Sequence, residues 1–337
     1  MIHEAMLYEK QDKNSVRCIL CAHRCKIAPS KRGICGVREN RDGTLYSLVY
    51  GMIIAQNVDP IEKKPLFHVY PGSKSFSIAT VGCNFQCTFC QNHDISQMPR
   101  ETGRIAGRPA SPEDIVEYAV KSQSKTIAYT YTEPTIFFEY AFDIGKIAHT
   151  RGIKNVFVTN GYMTTEALEV ISPYLDAANV DLKSFSNDFY KTYCGARIQP
   201  VFESLKKMKE LGIWVEVTTL IIPSLNDGDE ELKNIARFIA SLGSETPWHI
   251  SRFHPQYEMT NLPPTPVATL HKAAQYGEEA GLKYVYTGNV PGDTMESTSC
   301  SNCGNMLIDR CGFYINKLNL DRTRCPKCGT PLHGIFG

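Results

Sequence analysis

Between residues 75 and 290, short runs rich in Val, Ile, Phe and Tyr alternate with longer stretches whose apolar residues recur every three or four positions. The short runs read as strands at 76–81, 126–131, 155–159, 178–182, 214–222, 249–253 and 283–287. The stretches between them read as helices. In SPEDIVEYAVKSQ, Ser111 is placed to cap, Pro112 sits at the first helical position, and Glu113 and Asp114 face the positive end of the dipole. DGDEELKNIARFIASL is acidic at its start, with Gly243 just past its end. Such alternation means parallel strands with covering helices, the α/β class. Periodicity alone does not separate a barrel from a doubly wound sheet.

The ends of the chain read differently. Residues 43–71 give one or two strands and then a proline-punctuated connection, in which Glu62, Lys63 and Lys64 read as a solvated turn and His68 takes no role. Residues 18–35 are basic, turn-rich and too poor in apolar positions to fold alone. The expected units are an amino-terminal Cys-rich extension (1–72), a core (73–292) and a carboxyl-terminal ribbon (293–337).

Composition narrows the classes. The chain has 337 residues, 42% hydrophobic and 21% charged, so a large globular core is expected and disorder is not. Lys plus Arg number 36 against 35 Asp plus Glu, so bulk charge calls for no nucleic acid, and Arg322, Arg324 and Lys327 make only a slight basic face. The polar amino terminus and the absence of an eighteen-residue apolar run imply a cytoplasmic location without membrane association.

The 13 cysteines fall into three groups, with Cys194 and Cys311 left over as ordinary thiols. That usage is metal binding in a reducing compartment. Cys83, Cys87 and Cys90 come from one loop after a strand. Three thiolates hold three corners of a four-iron cube and leave one iron open for chemistry. A zinc knuckle completed by His93 is the bland alternative, and the three-then-two spacing disfavours it. Cys300, Cys303, Cys325 and Cys328 form two Cys-x-x-Cys-Gly knuckles around strand-like residues, the pattern of structural zinc, with a rubredoxin-like iron as the other occupant. Cys18, Cys21, Cys25 and Cys35, with His23 as a substitute ligand, suit zinc or a second iron–sulfur cluster, or are reduced thiols packed on the core.

In CNFQCTFC, Phe89 precedes the last cysteine, and the whole resembles the Cys-x-x-x-Cys-x-aromatic-Cys signature of the radical S-adenosylmethionine superfamily. The resemblance implies an open (β/α)6 partial barrel, a 4Fe-4S cluster whose open iron is chelated by S-adenosylmethionine, and cleavage of that cofactor to a 5′-deoxyadenosyl radical. It also implies a reductant such as ferredoxin or flavodoxin, and anaerobic work. By the same resemblance Glu133, with Thr132 beside it in YTEPT, holds the cofactor's amino group. Asn160 in VTNGY bonds its polar edge, Asp181 and Lys183 in NVDLKSF meet ribose and carboxylate, and His254 in HISRFHP meets ribose. Taken singly, Asn160 or Asp181 is as well read as a helix cap or turn residue.

Over nearly its whole length, through CILCAHRC, GICGVREN, DPIEKKPLFHVYPG and YVYTGNVPG as well, the chain resembles the radical enzyme of the AmmeMemoRadiSam system. That enzyme family is related to pyruvate formate-lyase activating enzymes, and the likeness implies Memo-type and AMMECR-type partners. One departure is informative. Residues 91–193 contain no cysteine, whereas many activases carry a ferredoxin-like insert there, so a glycyl-residue target is not inherited. The expected function is hydrogen abstraction from an unidentified substrate. The alternative is a non-catalytic iron–sulfur or zinc protein serving electron transfer or interaction.

Overall fold

The computed structural model describes residues 2–336. Its centre is an eight-stranded sheet. In chain order the strands are β1 (Ala55–Pro60), β2 (Lys74–Ala79), β3 (Thr126–Tyr129), β4 (Lys154–Thr159), β5 (Ala177–Asp181), β6 (Trp214–Ile221), β7 (Trp248–Arg252) and β8 (Val285–Gly288). Each pairs with the next, β1 antiparallel to β2 and all later pairs parallel. The order never reverses, so the sheet lacks the switch point of a doubly wound fold. All seven expected strands are present. β1 lies within 43–71, where one or two strands are expected, and joins the same sheet as an edge strand.

One helix of seven or more residues crosses between each parallel pair: α1 (Pro112–Lys121), α2 (Phe138–Thr150), α3 (Thr165–Ile171), α4 (Gln199–Glu210), α5 (Asp229–Ser241) and α6 (Val267–Glu279). Right-handed crossovers in a sheet of this order put every helix on one face. α1 begins with a capping box. Ser111 Oγ accepts from Asp114 N at 3.1 Å, and Asp114 Oδ2 accepts from Ser111 N at 2.9 Å. Its buried Ile115, Val116 and Ala119, and the Leu232, Ile235, Ala236 and Ile239 of α5, are the stripes the sequence period required.

The expectation of a solvated turn at 62–64 is corrected. Lys63 reaches solvent, but Glu62 and Lys64 are 1% and 2% exposed. The reason is that each charge finds a partner: Lys64 Nζ lies 2.6 Å from Asp59 Oδ2, and Glu62 lies beside Arg310 at 3.8 Å. The segment plugs the sheet near the amino ends of its strands. Asn179 Nδ2 of β5 donates to Pro65 O at 2.7 Å, and Glu216 of β6 accepts from the backbone N–H of Phe67 at 3.0 Å and of His68 at 2.9 Å. His68 is wholly buried in this plug.

A three-stranded antiparallel ribbon, β9 (Thr298–Ser299), β10 (Met306–Cys311) and β11 (Tyr314–Leu318), closes the chain against the plug, with Ile335 N donating to His68 O at 2.7 Å. At the other end, two small antiparallel sheets, one from 8–10, 16–18 and 26–27 and one from 3–4, 38–41 and 44–47, bury Val16, Ile27, Val37 and Leu45 in the same core as the helices. This extension is tied to α2 by a buried ion pair, Arg38 Nη2 to Glu139 Oε2 at 2.6 Å.

Candidate functional site

The loop that follows β2 turns at Gly82, whose φ of +105° favours glycine. A side chain there would also meet Val37 Cγ1 at 2.7 Å and Cys35 O at 3.2 Å, so the loop lies directly against the amino-terminal extension. Cys83, Cys87 and Cys90 follow. Cys87 is buried and the other two are half-buried. Burial, then the Glu133 carboxylate, pushes the Cys83 thiol up, and burial does the same at Cys90. Cys87 is pulled down instead, by a hydrogen bond with the Cys194 side chain and, against burial, by Lys183.

Backbone amides point at two of these sulfurs. Phe85 N donates to Cys83 Sγ at 3.3 Å and Asn92 N–H bonds Cys90, whose Sγ also lies 3.4 Å from Ser96 Oγ. Soft donors ringed by amides, without a carboxylate or imidazole among them, fit an iron–sulfur cluster better than a hard cation.

Most of the expected partners converge on this loop. Asn160, just past β4, donates from Nδ2 to Asn84 Oδ1 at 2.7 Å and lies 3.9 Å from Cys83 Sγ. Gly161 beside it has φ +69°, and a Cβ would strike Val180 at 2.7 Å. Glu133 positions Asn160: its Oε2 accepts from Asn160 N at 2.8 Å, while Oε1 accepts from Thr135 N at 3.0 Å and Thr159 Oγ1 at 2.7 Å. Burial raises its carboxyl pKa against those bonds. Thr132 Oγ1 donates to Thr80 O at 2.8 Å, joining the ends of β3 and β2.

Lys183 Nζ pairs with Asp181 Oδ2 at 2.8 Å and sits 5.8 Å above the ring of buried Phe89. Although burial opposes it, Asp181 and then Cys87 hold the Lys183 pKa well up, so this lysine is a fixed cation. His254 stands apart. It is exposed on the turn after β7, and among the described residues no hydrogen bond ties it to the others.

Three further residues touch the loop: Cys194 and Arg100, which the sequence does not single out as site residues, and His23, expected as a substitute ligand of the amino-terminal set. Cys194, read as an ordinary thiol, is fully buried against Cys87, and its carbonyl accepts from Gln86 N at 2.9 Å. Arg100 donates to Ile34 O at 2.9 Å and to Phe85 O and Cys83 O at 3.4 Å. His23 Nε2 donates to Asn84 O at 2.8 Å, which fixes its tautomer, since a carbonyl only accepts. No motif surrounds Cys194 or Arg100, whereas His23 lies within CILCAHRC.

In the ribbon, Cys300, Cys303, Cys325 and Cys328 bring their sulfurs within 4.8 Å of one another, with Cys300 to Cys328 at 3.5 Å and Cys303 to Cys325 at 3.7 Å. Zinc–sulfur bonds of about 2.3 Å give tetrahedral edges of roughly 3.8 Å, so the set fits one metal ion.

Residues 77–239 match the Radical SAM superfamily. The chain is 49% identical to the uncharacterized protein MJ0808 of Methanocaldococcus jannaschii over 331 residues, covering 97% of this chain and 98% of that one. It is 22% identical to the pyruvate formate-lyase-activating enzyme of Clostridium pasteurianum over 54% of this chain and 77% of that one. A radical SAM methyltransferase from Sphaerobacter thermophilus shares the fold, with a TM-score of 0.52 at 15% identity over 70% of this chain and 71% of that chain. The chain therefore belongs to the radical S-adenosylmethionine superfamily. Enzymes of radical chemistry, activating enzymes among them, are its relatives. No helix among the described residues is long and apolar enough to cross a membrane.

Proposed function

We propose that the chain is a radical S-adenosylmethionine enzyme whose Cys83, Cys87 and Cys90 hold a 4Fe-4S cluster at the mouth of an open partial barrel. The cluster and S-adenosylmethionine, when bound, supply the one-electron cleavage that yields a 5′-deoxyadenosyl radical for hydrogen abstraction from the substrate. The chain's own work is placement. Glu133 fixes Asn160 against the loop, and Lys183 keeps a positive charge beside Cys87 and presents it to a carboxylate. Phe89 covers the loop from the side of the aromatic core, and Asp181 and His254 are the ribose-facing candidates.

The observation that carries this reading is the convergence of strand-end polar residues on one three-thiol loop: Asn160 directly, and Glu133 through it. The reading extends to a ferredoxin- or flavodoxin-type reductant, to zinc in the ribbon, and, on the resemblance to the AmmeMemoRadiSam enzyme, to Memo-type and AMMECR-type partners.

The test is anaerobic reconstitution with iron and sulfide, then dithionite and S-adenosylmethionine, with 5′-deoxyadenosine followed by chromatography. Product from the wild type and none from Cys87→Ala is the expected result. Equal product from both would sink the proposal. A polypeptide that co-purifies and acquires a radical marks a protein substrate, whereas turnover of a small molecule without one marks the other class.

A further inference from the structure

The structure assigns a second iron–sulfur cluster to the amino-terminal extension, held by Cys18, Cys21, Cys25 and Cys35. These cysteines come from different turns, yet all four line one cavity, together with Arg38 and Asn84. Three observations specify what fills it.

The first is the amides. The backbone N–H of the residue two positions on bonds the sulfur of Cys18 (from Leu20), Cys21 (from His23) and Cys35 (from Val37), and Ile34 N–H bonds Cys25. The same i to i+2 bond occurs at Cys83 and Cys90 of the catalytic loop and at Cys303 and Cys328 of the ribbon. Such donors neutralise thiolates that bind metal.

The second is a set of three unused donor atoms on two side chains. Arg38 Nε and Nη1 and Asn84 Nδ2 have no hydrogen-bond partner, though Arg38 is 2% and Asn84 1% exposed. A buried donor left unmade costs free energy, so an anionic acceptor is called for in the cavity both side chains line.

The third is spacing. The ribbon's sulfurs close to within 4.8 Å, as one ion demands, whereas among the described residues neither Cys83, Cys87 and Cys90 nor the amino-terminal four do so. The amino-terminal set is therefore not drawn together for a single ion as the ribbon's is, and sulfides inside a cluster supply the acceptors that Arg38 and Asn84 lack.

Four thiolates leave no iron open, so this cluster has an electron to offer and no substrate position. Asn84 is both a wall of its cavity and the neighbour of Cys83, and exposed Ile34 marks where the cavity meets the surface. One electron from a low-potential ferredoxin- or flavodoxin-type donor enters here and passes on to the catalytic loop, with no bond made or broken at the relay. The relay role rests on the catalytic reading above. The site does not.

The full chain with Cys83, Cys87 and Cys90 all changed to Ala is reconstituted anaerobically with ferrous iron and sulfide. The expected result is about four irons and four acid-labile sulfides per chain, with a reduced-state paramagnetic signal that S-adenosylmethionine leaves unchanged. The wild type should hold roughly twice as much of both, which guards against a misfolded variant. Zinc at this site, iron without sulfide, or a wild-type count of only about four sulfides overturns the assignment. For the relay, Cys21→Ala with Cys25→Ala should slow 5′-deoxyadenosine formation roughly tenfold with flavodoxin as donor and far less with dithionite, which is small enough to reach the loop itself. Equal slowing with both donors overturns the relay while leaving the iron and sulfide count to judge the site.

Discussion

Arg310 of the ribbon lays its guanidinium 4.3 Å over the ring of Phe67 and donates from Nη2 to that residue's carbonyl oxygen at 2.8 Å. From Nη1 it donates to Thr298 Oγ1 at 2.6 Å. Phe67 N in turn donates to Glu216, which also holds His249 Nε2 at 2.7 Å. Ribbon, plug and sheet are therefore one bonded unit at the amino ends of the strands, while the three-thiol loop lies past the carboxyl end of β2. The ribbon is thus joined to the sheet at the end away from the three-thiol loop.

Replacing Arg310 with Met leaves Glu62, which is almost fully buried, without its cation. Breaking a buried pair on one side costs about 3 kcal/mol, and the lost bonds to Thr298 and Phe67 add to it. Urea unfolding should show that loss in midpoint with an unchanged slope. Arg310→Lys should recover only part, because an ammonium lacks the planar fork that stacks on Phe67 and bonds two acceptors at once. A change below about 0.5 kcal/mol in Arg310→Met would show that the contact contributes little.

Metal removal should be felt beyond the ribbon. The segment from 297 to 336 buries few large side chains, so the Cys300, Cys303, Cys325 and Cys328 site carries much of its folding energy. We expect about one zinc per chain, lost in Cys325→Ser. Hydrogen exchange should then quicken in the ribbon and also at Phe67, His68 and Tyr70, whose backbone groups are bonded to Glu216, Arg310 or Ile335. Faster exchange confined to the ribbon would mean that the plug is held by the sheet alone.

His68 gives the fold a defined acid sensitivity. Its Nδ1 donates to His333 O at 2.6 Å and its Nε2 accepts from Tyr286 Oη at 2.7 Å, so the ring is neutral in a single tautomer. Burial lowers its pKa to about 4, despite the Glu216 carboxylate nearby. The unfolded chain, with an ordinary histidine near 6.5, binds the proton first. Stability from this group is therefore complete above pH ~6.5 and is lost as pH falls toward ~4, on the order of 3 kcal/mol in all. The difference in unfolding free energy between wild type and His68→Gln, followed from pH 7.5 to pH 4.5, should shrink on acidification. A constant difference would show that His68 does not titrate with unfolding.

Much of this architecture was legible in the residue pattern, and for a common reason. The strands of the core are covered on both faces and bounded by turn residues, so each appears as a short apolar run, and the α1 cap was readable from Ser111 and Asp114 alone. A strand is expected within 43–71, but the place of β1 in the core sheet is not, because AQNVDP is an edge strand with Gln56, Asn57 and Asp59 in it. The plug escaped because a charged triplet looks solvated until its partners are known: Asp59 pairs with both lysines, but Arg310, the partner of Glu62, is far along the chain. At the site, the three loop cysteines were readable from spacing. Cys194, Arg100 and the contact of His23 with Asn84 were not, since what gives each its place is contact with the loop across sequence distance.

Cys194 is the most exposed of these to direct measurement, because its effect is on a potential. Its side chain bonds that of Cys87, and Lys183 adds positive charge at the same sulfur. Hydrogen bonds to a ligating sulfur withdraw electron density and raise the reduction potential of a cluster. Cys194→Ala removes one such donor without touching the three-thiol loop. A bond worth about 1 kcal/mol corresponds to roughly 40 mV for a one-electron couple, so the catalytic cluster should become harder to reduce by about that much. Anaerobic titration monitored by paramagnetic resonance reads this directly, with iron content as the control. An unshifted potential would mean that the Cys194 thiol does not donate to Cys87. Loss of iron instead would identify Cys194 as a ligand, which would close the open iron and remove the ground for binding S-adenosylmethionine there.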